Sequence, residues 1–581
     1  MNPADFALTR LAPAGLRRSI WVGWAALVLV DFAGRAAYLA PRLLTVRGFV
    51  NYVLASTALW LVLRLLMLVR HPRRVALFAV VVALPMAVQW AMFRSYGQFV
   101  EPADFVALGE APGVILGAAG HGAEGLGTFV VLALALGSAW LLPREALPLR
   151  LRTVGVASVM LAAELGVGAT YWGACPTLEH SQPAFSCALL GLMRRATIRT
   201  SAGARVVVPK APATTTPLPN IVLVVGESLA ASHLSIYGYD RDTTPRLAAL
   251  QSQGRLVALR DASVMGPNTR TSVPYILTGL EGPDPDGRVF RAPTLLEYAK
   301  ARGYHTAFVS AQEEAWGNFD VLFREGVDTF RTGIEFAPEV DVLKGADDLV
   351  VLEQGVLPLL QSLPQPFFVV LHMDGSHLPY RDHSPPSHKV YLPEDGVNST
   401  NAYDNTIRVT DEYLARTFEA LRARDPGAWM FFTSDHGQPL GEGGAFFNRG
   451  YQSNVVRDPL LVFAPPDADA TRWAAVAAAQ VSACDLAPTL VHLMGASPVS
   501  AMDCADWLEA PPSPRVRVVS AYTPTYVTEP TMLLLLPDGQ RALYDLGRGT
   551  VTRNDGAVRP MAEWPLPGAV EARLHGDRGT P

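Results

Sequence analysis

Three stretches of this sequence put metal-ligating side chains directly after an apolar run. Glu227 follows Ile-Val-Leu-Val-Val at 221–225. His377, within Leu371-His-Met-Asp-Gly-Ser-His377, follows the apolar run Phe-Phe-Val-Val-Leu at 367–371. Asp435 and His436, within Thr433-Ser-Asp-His-Gly437, follow Trp-Met-Phe-Phe at 429–432. Carboxylate oxygen and neutral imidazole are the ligand set of a zinc site, and a catalytic site keeps one position open. Singly, each has a bland reading: a capping Glu, a turn Asp, a capping His. Three strands delivering Glu, His and Asp-His to one sheet edge argue for a site. A fourth stretch, Met265-Gly-Pro-Asn-Thr-Arg-Thr-Ser-Val-Pro-Tyr275, is a turn rich in hydroxyls. Pro274 suits the first turn of a helix, whose free N–H groups would favour a phosphate. A hydroxyl there, beside a metal, would become a nucleophile. A lone Ser or Thr ahead of a helix is far more often a simple cap, so Thr269, Thr271 and Ser272 all stand open on this argument.

The elements that must position these residues read as β-α-β units. Apolar runs at 221–225, 305–309, 367–371, 429–432 and 460–463 predict strands. Amphipathic stretches at 244–253, 293–301, 347–360, 402–422 and 483–494 predict helices. A central, mostly parallel sheet flanked by helices is the natural assembly, with ligands at the carboxyl ends of its strands. Residues 237–245, Tyr-Gly-Tyr-Asp-Arg-Asp-Thr-Thr-Pro, predict a loop over the sheet edge. Residues 516–546 predict a small antiparallel addition, and the last 30 or so residues are weakly patterned, as in a poorly ordered tail.

The first 175 residues differ in kind. Apolar residues make up 50% of the 581 and charged ones only 17%, and the apolar excess sits here. A spanning helix needs about 20 mainly apolar residues. Five stretches qualify: 20–40, 49–69, 75–92, 126–142 and 154–172. Asp31, Arg35 and Arg64 within them would face other helices or reach the interface. Arg10, Arg17 and Arg18, then Arg70, Arg73 and Arg74, then Arg144, Arg150 and Arg152 mark the cytoplasmic side. Everything after Trp172 then lies outside the cytoplasm. Cysteines at 175, 187, 484 and 504 agree, pairing plausibly as 175–187 and 484–504 in an oxidising compartment. The predicted organisation is a transmembrane domain at 1–175 and a connector at 176–219, with an interfacial helix and a Pro/Thr-rich linker. A catalytic domain follows at 220–581. The net charge of −5 suggests no nucleic-acid partner.

At these residues the chain resembles the alkaline phosphatase superfamily. Within it, the chain looks like the membrane-bound phosphoethanolamine transferases that modify lipid A and other periplasmic acceptors. The motifs are Gly226-Glu-Ser228, the 237–245 loop, Thr269 with Ser272-Val-Pro274, Gly375-Ser-His377, Tyr403-Asp-Asn-Thr406, and Ser434-Asp-His-Gly437 with Leu440-Gly-Glu442. The resemblance implies an α-helical membrane domain followed by a sulfatase-like α/β domain, in the bacterial inner membrane with the catalytic part in the periplasm. It implies Thr269 as nucleophile, with zinc held by Glu227, Thr269, Asp435 and His436. His377 would contact the phosphoryl group or a second zinc and protonate the leaving group. Phosphatidylethanolamine would donate phosphoethanolamine to Thr269, which passes it to lipid A or a glycan.

The chain also departs from the pattern. Asn448 stands where a second His is usual, and Ala230 and Ser232 replace an Arg and an Asp. Met265 and Tyr275 stand where lipid A enzymes often carry a disulfide. These place it on a divergent branch. The alternatives are a phosphoglycerol transferase, with manganese as the alternative metal, and a non-catalytic membrane sensor on the same fold. A sulfatase is disfavoured, since Asn268-Thr-Arg-Thr-Ser lacks the Cys/Ser-x-Pro-x-Arg context that enzyme needs.

Overall fold

The computed structural model describes residues 19–34, 36–44, 46–69, 71–96, 122–143, 205–212, 217–314, 319–337, 340, 345–396, 399–442, 450–523 and 530–575. The chain divides into two compact units, Met1–Ile198 and Arg199–Pro581.

The first unit is helical: Ile20–Gly34, Ala36–Leu43, Val46–Leu66, His71–Phe78, Leu84–Tyr96 and Gly122–Ala139, with a π-helical segment at Ala79–Ala83. Among the described residues one helix, Arg73–Trp90, is long and apolar enough to cross a membrane. Ile20–Ala33 and Phe129–Ala139 are shorter apolar helices. The predicted spans at 20–40, 49–69, 75–92 and 126–142 fall largely on these helices, and the stretch at 154–172 lies outside the described residues. Asp31 and Arg64 are buried, and Asp31 accepts the Tyr52 hydroxyl at 3.0 Å, which is how a helical unit tolerates a carboxylate in an apolar stretch.

In the second unit, β1 (Ile221–Gly226), β2 (Val257–Ala258), β4 (His305–Ser310), β5 (Thr329–Arg331), β6 (Phe367–His372), β7 (Trp429–Ser434) and β8 (Leu461–Phe463) form one sheet. Its order is β2-β8-β7-β1-β6-β4-β5. The five strands from β7 to β5 are parallel. At the other edge β8 and β2 run antiparallel, so the sheet is mixed. Strand β1 is buried on both faces. Ile221, Leu223 and Val225 enter one core, and Val222 and Val224 enter the other. Burial on both sides is why β1 reads as an unbroken apolar run rather than an alternating one.

Two short strands, β3 (Asp261–Ser263) and β9 (Gln480–Ser482), pair beside this sheet. The stretch 347–360, expected as one helix, is broken by a π-helical turn at Leu352–Val356. The C-terminal addition is larger than its patterning suggests. Strands β10 (Arg517–Ser520), β11 (Thr531–Leu535), β12 (Arg541–Asp545), β13 (Thr550–Arg553) and β14 (Val558–Pro560) form an antiparallel sheet. The helix Gly568–His575 follows. Arg573 on it pairs with the buried carboxylate of Glu281 at 2.9 Å, so residues 550–575 are not the loose tail expected. The linker is corrected likewise. The N–H of Val206 donates to Arg291 O and that of Ala211 to Ala301 O, laying residues 206–211 along the catalytic domain. Cys484 and Cys504 form the expected disulfide. Cys175 and Cys187 lie outside the described residues.

Candidate active site

Parallel pairing in register sets the ends of the strands side by side. Val225 pairs with His372 across β1 and β6, and Gly226 pairs with Ser434 across β1 and β7. Each chain then leaves the sheet at the same edge, which delivers Glu227, the 373–377 turn and Asp435-His436 together. The segment after β1 is not a helix that Glu227 could cap. Ser228 takes a left-handed conformation, φ 58°, before short 3-10 turns. Tyr403 fixes that bend, donating its hydroxyl to Ser228 O and accepting the N–H of Ala230, both at 2.7 Å.

Ligand atoms of Glu227, Asp435 and His436 all lie within 4.8 Å of one another, and all three residues are buried. Thr269 Oγ1 donates to Glu227 Oε2 at 3.1 Å and stands 3.4 Å from His436 Nε2. The three candidate hydroxyls separate clearly. Thr271 Oγ1 donates to Asn268 O, and Ser272 Oγ accepts the N–H of Met265. Only Thr269 turns toward the acidic cluster. It opens the 3-10 turn Thr269–Thr271, capped by the Asn268 side chain, and the helix Val273–Thr278 follows with Pro274 in its first turn.

The donor set suits a divalent cation. Nδ1 of His436 lies 2.9 Å from the carbonyl of Gly437, so Nδ1–H donates there and Nε2 is turned toward the carboxylates. Oδ2 of Asp435 is buried, 3.1 Å from that Nε2. Burial pushes the Glu227 carboxyl up, and the charge of Asp435 adds to this. Burial also opposes the charge on Asp435. The His436 charge and hydrogen bonds from His436, the Ser228 N–H and Thr269 prevail and hold it at about 2. Burial lowers His436, yet Asp435 and Glu227 carry it to about 9. Two buried carboxylates facing one imidazole hold an excess of negative charge that a metal ion would neutralise.

His377 stands outside this cluster. Its Nδ1–H donates to Leu378 O at 2.7 Å. Asn448 lies outside the described residues.

Several supporting residues escaped the sequence reading. Gln312, just past β4, donates to Glu227 Oε2 at 3.2 Å and to Met373 O at 2.8 Å. His372 is buried against Glu314 at 2.7 Å. Asp458, just ahead of β8, accepts the Ser434 N–H at 2.9 Å and the Thr433 hydroxyl. Their only sequence signal is a polar residue beside an apolar strand. The 237–245 loop and the Tyr403–Thr406 motif explain each other. Tyr239 and Arg241 both donate to Asp404, and Thr406 meets Ser376 at 2.6 Å, so one helix holds both loops that border the site.

Residues 219–496 match the sulfatase family model. In sequence, the chain is lipid A phosphoethanolamine transferase-like. The putatively assigned transferase YhbX of Escherichia coli K12 is 32% identical over 226 residues, 38% of each protein. The Kdo(2)-lipid A phosphoethanolamine 7''-transferase of Salmonella typhimurium is 27% identical over 231 residues, 38% of this chain and 39% of that one. The match thus spans well under half the length of these curated relatives. In fold, the chain is similar to the integral membrane protein lipooligosaccharide phosphoethanolamine transferase A of Neisseria meningitidis. That structure matches with a TM-score of 0.56 and 16% identity, over 81% of this chain and 95% of that one.

Proposed function

We propose that this protein is an inner-membrane phosphoethanolamine transferase whose sulfatase-family domain works in the periplasm. It would move phosphoethanolamine from phosphatidylethanolamine to lipid A or another periplasmic glycan or lipid through a phospho-Thr269 intermediate. The reading is carried by the Thr269 hydroxyl, set 3.1 Å from Glu227 and 3.4 Å from His436. Glu227, Thr269, Asp435 and His436 would hold zinc. Bound there, a zinc ion makes a hydroxyl a competent nucleophile at neutral pH.

In the first step Thr269 Oγ1 bonds to phosphorus, its proton passing toward Glu227, and the bond from phosphorus to the diacylglycerol oxygen breaks. His377 gives that oxygen a proton. In the second step the acceptor hydroxyl oxygen bonds to phosphorus, its proton passing to the now neutral His377, and the bond from phosphorus to Thr269 Oγ1 breaks, Thr269 recovering its proton from Glu227.

The test is intact mass and peptide mapping of the metal-loaded, full-length protein after incubation with phosphatidylethanolamine, beside Thr269→Ala. A phosphoethanolamine adduct on Thr269, absent in the variant, is expected. An adduct formed only from phosphatidylglycerol would replace the reading by phosphoglycerol transfer. No adduct from either lipid would overturn it in favour of a non-catalytic binding protein.

A further inference from the structure

A second group of buried titratable side chains, Asp348, Asp374 and His383, lies next to the site, and the two transfer steps do not use it. The carboxylate of Asp348 accepts the N–H groups of Asp374 and Gly375, at 3.0 and 2.9 Å, one on each oxygen. Oδ2 of Asp374 accepts the N–H of Gly345 at 3.0 Å and meets Nδ1 of His383 at 2.7 Å. Nε2 of His383 is buried without any hydrogen-bond partner.

The turn held in this way is the one that carries His377. Gly375 has φ 53°, and a Cβ there would come 2.7 Å from the carbonyl oxygen of Glu227. The Ser376 N–H donates to that same oxygen at 3.0 Å. The rings of His383 and His377 meet edge to face, with centroids 6.3 Å apart and planes at 75°. Burial disfavours charge on both members of the Asp374–His383 pair. Their mutual attraction prevails, raising His383 and lowering Asp374, so the two stand as an ion pair.

We propose that His383, anchored through Nδ1 on Asp374, is a positioning residue that fixes the ring of His377 for delivery of a proton to the leaving oxygen. The inference rests on the role given to His377 above. Its chemistry is selective. Positioning an acid matters when the departing oxygen is the strongly basic alkoxide of diacylglycerol. It does not matter when the leaving group is a nitrophenolate, which departs without a proton.

The test uses full-length wild type, His377→Ala, His383→Ala and His383→Asn, each assayed with phosphatidylethanolamine and with a nitrophenyl ester of phosphoethanolamine. The ratio of kcat for the lipid to kcat for the nitrophenyl ester does not depend on the fraction of protein folded. The ratio should fall about 100-fold in His377→Ala and by a similar factor in His383→Ala. His383→Asn should restore most of it, because its amide N–H can take the place of Nδ1–H on Asp374. An unchanged ratio in His383→Ala, with a lowered ratio in His377→Ala, overturns the positioning role. A ratio in His383→Asn as low as in His383→Ala overturns the anchoring through Asp374. An unchanged ratio in His377→Ala overturns the acid role of His377 and the inference with it. Wild type inert toward both donors overturns the proposed function itself.

Discussion

The carboxylate Oδ1 of Asp435 accepts the backbone N–H of Ser228 at 2.9 Å, across 207 residues of sequence. This bond ties the residue after Glu227 to the residue before His436, so the ends of β1 and β7 act as one piece. It also explains the left-handed Ser228, because the bend is what turns that N–H toward Asp435. A non-glycine residue holds such a conformation only where its surroundings fix it. Here Tyr403, Asp435 and Ser434 do so together.

Thr269→Ala should abolish the covalent adduct and lower transfer by about a thousandfold or more, as loss of a nucleophile does. Thr269→Ser should keep the adduct, since its hydroxyl can reach Glu227 and His436 from the same backbone position. Mass spectrometry of the lipid-treated protein reads both.

Gln312→Ala should weaken metal binding about 10- to 100-fold, the usual cost of losing a partner that orients a ligand. Gln312 holds Glu227 Oε2 by a single hydrogen bond while anchored on Met373 O. Competition with a chelator, followed by metal analysis of the retained protein, measures it. An affinity equal to wild type would show that the hydroxyls of Ser228, which donates to Glu227 Oε1 at 2.5 Å, and of Thr269 suffice to orient Glu227.

The Cys484–Cys504 disulfide joins residues 20 apart. A loop of that size stabilises by about 3 kcal/mol. Replacing both cysteines with Ser should lower the melting temperature of the full-length protein, and a reducing agent should lower wild type more than the variant. Thermal unfolding with and without reductant checks this.

Asp411 gives a pH signature. Its carboxylate accepts the N–H groups of Arg246 and Leu247, yet burial dominates and raises its pKa from 3.8 to about 6. Between about pH 4 and 6 the folded protein therefore binds more protons at this site than the unfolded chain does. Its contribution to stability is full below pH 4 and is lost as pH rises through 6. The melting temperature of wild type relative to Asp411→Asn should fall by a few degrees over that window, about 2–4 °C for each kcal/mol. A difference that is flat from pH 4 to 7 would contradict the raised pKa.

The sequence alone determined five of the seven strands of the central sheet, because a run such as 221–225 is apolar on both faces only when both faces are buried, whereas the short β2 and β5 carry no such run. It also marked Glu227, Asp435 and His436, since each follows such a run and parallel strands end at a common edge. Composition located the apolar N-terminal region, but hydropathy cannot tell a spanning helix from shorter helices packed on one another, so the number of spans did not follow from it. Residue types alone left Thr269, Thr271 and Ser272 open; the resemblance pointed to Thr269, and only the tertiary structure shows that hydroxyl facing the carboxylates, because this depends on how a six-residue helix docks, not on residue type. Gln312, Asp348, Asp374, His383 and Asp458 became visible for the same reason. Each acts through a contact between residues distant in the chain, and no local pattern of apolar and polar residues encodes a distance in space.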